Sequence, residues 1–209
     1  MIRIVIADDH TIVRHGVREI LHAEPDLKMV GEAQNGQAVF DIVAHEPVDV
    51  IVLDISMPGR NGLDTLKELK RLYPQIAVIV LSMHPKDQYA VRVIKAGAAG
   101  YVTKESAPEE LVAAIRKAHR GEKYIDPEIA EVLANYIEHG GPGELHNRLS
   151  DREYEVMLKI ASGKGLTEIA AEMNLSVKTI STYRTRIVEK TNLTTNSEMT
   201  RYALDRGLI

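Results

Sequence analysis

Five short runs rich in valine and isoleucine, separated by amphipathic stretches, constrain the fold of this chain more than any other feature. They are IRIVIA (2–7), KMVGEA (28–33), VDVIVL (48–53), IAVIVLS (76–82) and AGYVT (99–103). Continuous apolar runs of this length read as strands covered on both faces. The segments between them, 11–24, 36–45, 62–73, 86–97 and 108–120, read as helices. In the last, Leu111, Ile115 and Ala118 recur at helical spacing. Asn61-Gly62, Pro85 and Pro108 stand near helix starts, and Gly97 and Gly121 near helix ends. Five β-α repeats imply an α/β doubly wound, five-stranded parallel sheet with helices on both faces. Sheets of this kind bind ligands at the carboxyl ends of their strands.

The alternation then stops. DPEIAEVLANYIEH (126–139) reads as a helix with Asp126 as N-cap and Pro127 in its first position. GGPGE (140–144) is a flexible joint. Beyond Leu149 no strand is expected, only four helices, over 151–162, 167–173, 177–191 and 196–206. Ser150 and Glu153 fit a capping box, and Ser176 caps the third of these helices. The division is therefore a sheet domain over 1–121, a linker over 122–144, and a small all-α four-helix domain over 145–209. A length of 209 residues accommodates two small domains.

Composition narrows the classes. There is no cysteine, so disulfides, thiolate metal sites and cysteine nucleophiles are excluded. No stretch approaches the ~18 apolar residues of a membrane helix. The opening MIRIVIADDH lacks the basic region of a signal peptide. A soluble, cytoplasmic protein with no membrane partner is expected. Residues 145–209 carry 10 basic and 8 acidic side chains, a slight positive excess in a chain of net charge −4. That is weak evidence for nucleic acid.

Asp8 and Asp9 follow the first strand and Asp54 the third. In a parallel sheet of this type those strands are neighbours, so three carboxylates converge on one rim. Like charges this close repel, and burial aggravates the repulsion. A hard divalent cation with oxygen ligands relieves it, and Mg²⁺ suits a cluster of carboxylates and water. Ser82 ends the fourth strand and Lys104 follows the fifth. A hydroxyl and an ammonium at the same rim complete a site for a phosphoryl group. Single acidic residues at strand ends are commonly just solvated; a pair plus a third on the adjacent strand is a different matter. The eight histidines are scattered, and His10 beside Asp9 reads as a rim residue rather than a zinc ligand.

This pattern resembles the receiver domain of two-component response regulators, which has the CheY-like form of the doubly wound sheet. The motifs are the acidic pair Asp8-Asp9, D-x-x-M-P-x-x-x-G (Asp54, Met57, Pro58, Gly62), Ser82 after strand four and Lys104 after strand five. The resemblance implies that Asp54 accepts a phosphoryl group from the phosphohistidine of a sensor histidine kinase. It also implies that Asp9 and Asp54 ligate Mg²⁺, with Ser56 contributing its backbone carbonyl and Asp8 assisting. Tyr101 would be the switch aromatic, acting with Ser82 and Lys104. Many receivers have proline after the lysine; here Glu105 follows, and in the NarL/FixJ subfamily that proline is often absent.

Thr167 to Arg186 has the spacing of a helix-turn-helix. Ile169, Ala170, Met173, Leu175, Ile180 and Ile187 form an inner face. Lys178, Ser181, Thr182, Arg184, Thr185 and Arg186 form an outer one, suited to phosphates and base edges of double-stranded DNA. The segment resembles the LuxR-type DNA-binding domain through L-S-x-R-E (Leu149 to Glu153), G-x-x-x-x-E-I-A (Gly163 to Ala170) and S-x-K-T-I (Ser176 to Ile180). Tyr183 stands where that family has a histidine. The resemblance implies bases read by Ser181, Thr182 and Thr185, a dimer contact on DNA through the helix from Thr195 to Asp205, and a homodimer when phosphorylated or DNA-bound. The expected function is a phosphorylation-controlled transcription factor rather than an enzyme. A haloacid-dehalogenase-type phosphatase would need D-x-D, but position 56 is Ser. A dinucleotide-binding enzyme would need G-x-G-x-x-G where ADDHTIVRHG stands. A regulator that needs no phosphorylation is opposed by the complete set Asp8, Asp9, Asp54, Ser82 and Lys104.

Overall fold

A computed structural model of the protein describes residues 1–57, 61–83, 86–106, 108–140 and 144–209, without the side chains at 86–88, 135, 139 and 140. Pro58, Pro85 and the Gly141-Pro142-Gly143 part of the joint lie outside the described residues. The chain divides into two compact units, Met1–Leu133 and Ala134–Ile209. The division falls inside the 122–144 segment.

In the first unit strands and helices alternate. They are β1 (Ile2–Ala7), α1 (Thr11–His22), β2 (Leu27–Ala33), α2 (Gly36–Val43), β3 (Val50–Leu53), α3 (Gly62–Leu72), β4 (Ala77–Ser82), α4 (Lys86–Lys95), β5 (Gly100–Thr103), α5 (Pro108–His119) and α6 (Pro127–Asn135). All strand pairs are parallel, in the order β2-β1-β3-β4-β5. The five-stranded doubly wound sheet expected from the alternation is therefore present, with β1 beside β3. Every residue of β3 is buried, and so is nearly every residue of β1 and β4, because both faces are covered. On one face Ile4, Ile6, Val50, Val52, Ile79 and Leu81 meet Val17 and Leu21 of α1 and Leu111 and Ile115 of α5. On the strands, Val5, Ile51, Leu53, Val78 and Val80 are the alternate set, also buried.

Some bounds differ from the sequence reading for local reasons. β3 begins at Val50, not at 48: the Asp49 carboxylate instead takes the Arg3 backbone N–H at 2.8 Å and its guanidinium at 2.9 and 2.6 Å. That pairing with Arg3 pulls the Asp49 carboxyl down to about 2. The helix expected over 126–139 is α only to Asn135 and continues as a π turn, Tyr136–Gly140. Asp126 caps it as expected, its Oδ1 accepting the Ile129 N–H at 2.9 Å.

The second unit is all helical: a 3₁₀ turn (Leu145–Arg148), α7 (Asp151–Ala161), α8 (Leu166–Glu172), α9 (Val177–Thr191) and α10 (Asn196–Asp205). Ser150 and Glu153 form both bonds of the capping box at α7, and Thr195 and Glu198 form a second at α10. Ser176 caps α9, accepting the Thr179 N–H at 3.1 Å. α7 packs on α9 and α10, and α8 on α9. Tyr154, Met157, Ile160, Ile169, Ile180, Ile187 and Met199 are fully or almost fully buried. Of the expected inner face, Leu175 is only half-buried.

Two glycines make opposite predictions. A Cβ on Gly62 would lie 2.0 Å from the carbonyl oxygen of Asp54 and 2.7 Å from Cα of Ile55, both backbone atoms. A Cβ on Gly16, in the middle of α1, would meet nothing within 4 Å. Gly62→Ala should lower the unfolding free energy by ~1–3 kcal/mol or more. Gly16→Ala should raise it by up to ~1 kcal/mol through helix propensity. Urea unfolding of the two variants measures the difference, and equal effects would refute the close packing at Gly62.

Candidate functional site

The register of the sheet assembles the acidic rim. Ala7 of β1 pairs with Leu53 of β3, and the Asp54 N–H donates to the Ala7 carbonyl at 2.8 Å. The residues that follow, Asp8 and Asp54, therefore emerge side by side. On the other flank Ser82 pairs with Thr103, and the Lys104 N–H donates to the Ser82 carbonyl at 2.9 Å. This carries the lysine to the same rim. The residues that the sequence assigned to four strand ends are thus brought together, and Gly62 permits the loop after β3 to close against Asp54, its N–H on the Ile55 carbonyl at 3.0 Å.

Lys104 Nζ lies 2.8 Å from Asp54 Oδ2 and 2.6 Å from Asp8 Oδ2. The lysine side chain is 6 % exposed and each of those carboxylates 1 %. One ammonium thus serves two buried carboxylates, with Asp9 beside them. Burial raises the Asp54 carboxyl above its ordinary range against the pull of Lys104, and Asp8 adds to the rise. Burial alone would lower Lys104, but Asp54 and Asp8 outweigh it and hold the ammonium above its ordinary value. In a cluster with excess negative charge, both groups keep their protons more tightly. The Ser56 N–H donates to Asp54 Oδ1 at 3.2 Å. Ser82 and Tyr101 are completely buried.

Ligand atoms of Asp8, Asp9, His10 and Asp54 lie within 4.8 Å of one another. Asp9 Oδ1 is buried, and His10 Nδ1 lies 2.9 Å from it. Three carboxylates offering oxygen donors this close together fit a hard divalent cation such as Mg²⁺.

Two arginines here, Arg14 and Arg18, were not singled out from the sequence. Arg14, in α1, is buried and donates to the Asp8 carbonyl at 2.8 Å, to Thr11 Oγ1 at 3.2 Å and to Glu32 Oε2 at 3.2 Å. Arg18 pairs with the other oxygen of Glu32. The signal in the sequence was faint: Arg14 occupies the apolar stripe of α1, three and seven residues before Val17 and Leu21. His10, expected as a rim residue, lies at the rim. Its N–H donates to Asp8 Oδ1 at 2.8 Å, and its Nδ1 lies 2.9 Å from Asp9 Oδ1.

In the second unit, α8 and α9 form the helix-turn-helix, with Asn174 in the turn at φ 52°. Lys178, Ser181, Thr182, Thr185 and Arg186 are exposed on α9. Thr182 and Thr185 donate their hydroxyl protons to the carbonyls of Lys178 and Ser181, at 3.0 and 3.2 Å. Their methyls and lone pairs remain for a ligand. Arg184 sits a third of a turn from Lys178 and is half-buried. Its guanidinium donates to Asn196 Oδ1 at 3.4 Å and to the Thr194 carbonyl at 3.2 Å. No helix among the described residues is long and apolar enough to cross a membrane.

A parallel five-stranded sheet with an acidic rim and a paired lysine, followed by a helix-turn-helix unit, defines a regulator of two-component type. The family of response regulator receiver domains matches residues 4–116, and that of bacterial regulatory proteins of the luxR family matches residues 147–203. The chain belongs to the NarL/FixJ-family response regulators, with a receiver domain and a LuxR-type DNA-binding domain. It is similar to response regulator UvrY of Escherichia coli K12, with 38% identity over 209 residues, 100% of this chain and 96% of UvrY. It is also similar to response regulator GacA of Pseudomonas aeruginosa, at 36% identity over 100% of this chain and 98% of GacA. Among solved structures it resembles RcsB from Salmonella enterica serovar Typhimurium bound to promoter rprA in the presence of phosphomimetic BeF₃⁻. The TM-score there is 0.64, with 31% identity over 97% of this chain and 98% of that one.

The buried triad sets a prediction. Removing the ammonium in Lys104→Met leaves Asp8 and Asp54 uncompensated and should cost ~3–5 kcal/mol at neutral pH. A carboxyl whose folded pKa is raised stabilises the fold only while protonated, and that contribution fades as pH rises through the folded value. The deficit of the variant should therefore shrink as pH falls toward the ordinary carboxylate range. Urea unfolding of parent and variant across this range checks it; a pH-independent deficit would mean that lost packing, not charge, is responsible.

Proposed function

We propose that a phosphoryl group transferred to Asp54 switches this protein, and that the switched form regulates transcription by sequence-specific binding to double-stranded DNA through α9. The observation that carries this reading is the Asp54 carboxylate itself. It is buried at the carboxyl end of β3, held 2.8 Å from the Lys104 ammonium and flanked by Asp8 and Asp9. The donor is the phosphohistidine of a sensor histidine kinase. An Asp54 oxygen forms the new bond to phosphorus while the bond from phosphorus to the imidazole nitrogen breaks, and the product is an acyl phosphate. Asp8, Asp9, Asp54 and the backbone carbonyl of Ser56 hold Mg²⁺, which supplies positive charge against the carboxylates and the phosphoryl oxygens. Lys104 pairs with one phosphoryl oxygen and the Ser82 hydroxyl donates to another, while Tyr101 follows as the switch aromatic.

The domain division proposed is a receiver over 1–121, a linker over 122–144 and a DNA-binding domain over 145–209. Lys178 and Arg186 contact phosphates, and Ser181, Thr182 and Thr185 face the bases. The stretch from Thr167 to Arg186 supplies the interface. Arg184 belongs to it as a further DNA-binding residue, and it also bonds the Thr194 carbonyl and Asn196. The protein works in the cytoplasm as a transcription factor rather than an enzyme, and as a homodimer when phosphorylated or DNA-bound.

Asp54→Asn keeps the shape of the side chain but cannot form an acyl phosphate. A small phosphodonor with Mg²⁺ should label the parent with an alkali- and hydroxylamine-labile group and raise its dimerisation or DNA affinity. The Asn variant should take no label and show no response. Labelling and sedimentation side by side decide the matter, since equal labelling of the variant moves the acceptor elsewhere. On the DNA side, Arg186→Ala should weaken specific and random duplexes about equally and flatten the salt dependence by a slope of roughly 0.9 if one phosphate is lost. Thr182→Ala should instead shift sequence preference by ~1–3 kcal/mol. Parent-like binding by both variants at two salt concentrations would remove α9 from the groove.

A further inference from the structure

His10 is not explained by the phosphoryl reading. It is the N-cap residue of α1, yet its side chain makes no capping hydrogen bond. The ring turns instead toward the carboxylates: Nδ1 lies 3.2 Å from Asp8 Oδ1 and 2.9 Å from Asp9 Oδ1. Its backbone is fixed on both sides. The N–H donates to Asp8 Oδ1 at 2.8 Å, and the carbonyl accepts the N–H groups of Val13 and Arg14 at 3.1 and 3.2 Å. The imidazole is therefore carried on the same rigid turn as the two acids. A ring nitrogen of His10 belongs, with Asp8, Asp9 and Asp54, to a group of possible ligand atoms within 4.8 Å of one another. Two ligand atoms on opposite sides of one ion at ~2.1 Å each would stand ~4.2 Å apart. The cluster needs only a few tenths of an ångström of closure to share an ion.

We propose that His10 is a nitrogen ligand of the cation held by Asp8, Asp9 and Asp54, and that it shifts this site toward borderline divalent ions such as Mn²⁺ and Co²⁺. The inference rests on the cation site of the preceding reading and adds to it. Nδ1 faces two carboxylates. As a ligand it would turn its lone pair to the metal, and the ring proton would reside on Nε2. A carboxylate and carbonyl set alone suits Mg²⁺; one imidazole raises the affinity for later first-row ions much more than for Mg²⁺. His10 is thus a specificity-determining residue for the metal, distinct from the phosphoryl acceptor.

The test uses the full-length protein with Mn²⁺ as the paramagnetic probe, free of nucleic acid and phosphodonor. Pulsed EPR of bound Mn²⁺ should show the ¹⁴N modulation of a coordinated imidazole in the parent. In His10→Ala the ion should still bind and that modulation should be gone. Because the His10 side chain caps nothing, the variant should fold as the parent does, which circular dichroism checks. Titration calorimetry should show a several-fold loss of Mn²⁺ and Co²⁺ affinity in the variant, with Mg²⁺ affinity little changed. Mn²⁺ bound to the parent without imidazole modulation overturns the inference and leaves the acidic cation site standing, as does an equal loss for all three ions. No binding of any of the three ions to the parent overturns the cation site and this inference together.

Discussion

The single Lys104 ammonium wedged between two buried carboxylates fixes the terms for the rest of the first unit. An unpaired carboxylate at 1 % exposure carries a desolvation penalty of several kcal/mol, and two side by side add their repulsion. The chain tolerates them because the sheet order brings β5 within reach of β1 and β3, through β4 between them. A strand shifted by one residue would turn Asp54 to the opposite face and leave Lys104 opposite nothing. The pairing of Ala7 with Leu53, and of Ser82 with Thr103, is therefore as much a part of the site as the charged groups are. Arg14 extends the same logic behind the rim, where it holds the Asp8 carbonyl from the buried side and is itself neutralised by Glu32.

What the sequence made legible follows from which forces act locally. Unbroken apolar runs report burial on both faces, so five strands could be read directly. Capping boxes depend on residues three apart, so the start of α7 at Ser150 and Glu153 was visible in four letters. The acidic pair, Asp54, Ser82 and Lys104 were legible because each stands just beyond an apolar run, and strand ends on one rim need no knowledge of packing. Arg14 was not legible in that way, because a lone arginine in an amphipathic helix ordinarily lies on the wet face; only the tertiary partners Glu32 and the Asp8 carbonyl pull it inside. Arg184 was grouped with the other polar residues of α9, and nothing in the sequence signals that Thr194 and Asn196 supply it with two acceptors. The extent of α6 was overread because YIEH continues a plausible helical pattern, and periodicity does not separate an α turn from a π turn.

Each unit extends beyond its regular elements, which bears on where the linker stops being part of a folded body. After α5 the chain returns to the sheet: the Tyr124 N–H donates to the Ala99 carbonyl at 2.7 Å, and Lys123 donates to the Ala98 carbonyl. Gly100 is needed there, since a Cβ would lie 2.9 Å from Cβ of Tyr124. In the second unit the first residues past the joint are already anchored to α10. The Tyr202 hydroxyl donates to Glu144 at 3.0 Å and lies 2.9 Å from His146 Nδ1, while Arg206 pairs with Glu144 at 3.2 Å. Burial raises the Tyr202 phenol to about 12, so it remains a hydrogen-bond donor across the physiological range. The first turn past the joint also packs on α9, so the start of the second unit is held by both helices.

On the proposed reading, the same electrostatics explains why phosphorylation can be felt outside the rim. Before transfer, the ammonium is divided between Asp54 and Asp8. A phosphoryl group on Asp54 replaces a carboxylate charge with a larger one on three oxygens further out, so the best position for the ammonium moves outward along the same line. Lys104 is attached through its backbone to β4, by its N–H on the Ser82 carbonyl, and Tyr101 lies three residues before it with no exposure at all. A fully buried ring in a close-packed interior has no continuous range of positions available; it either stays or changes rotamer. A shift of the ammonium by a fraction of its own length can therefore be converted at Tyr101 into a discrete change on the outer surface of β5, and the sharpness of the switch comes from packing while its direction comes from charge.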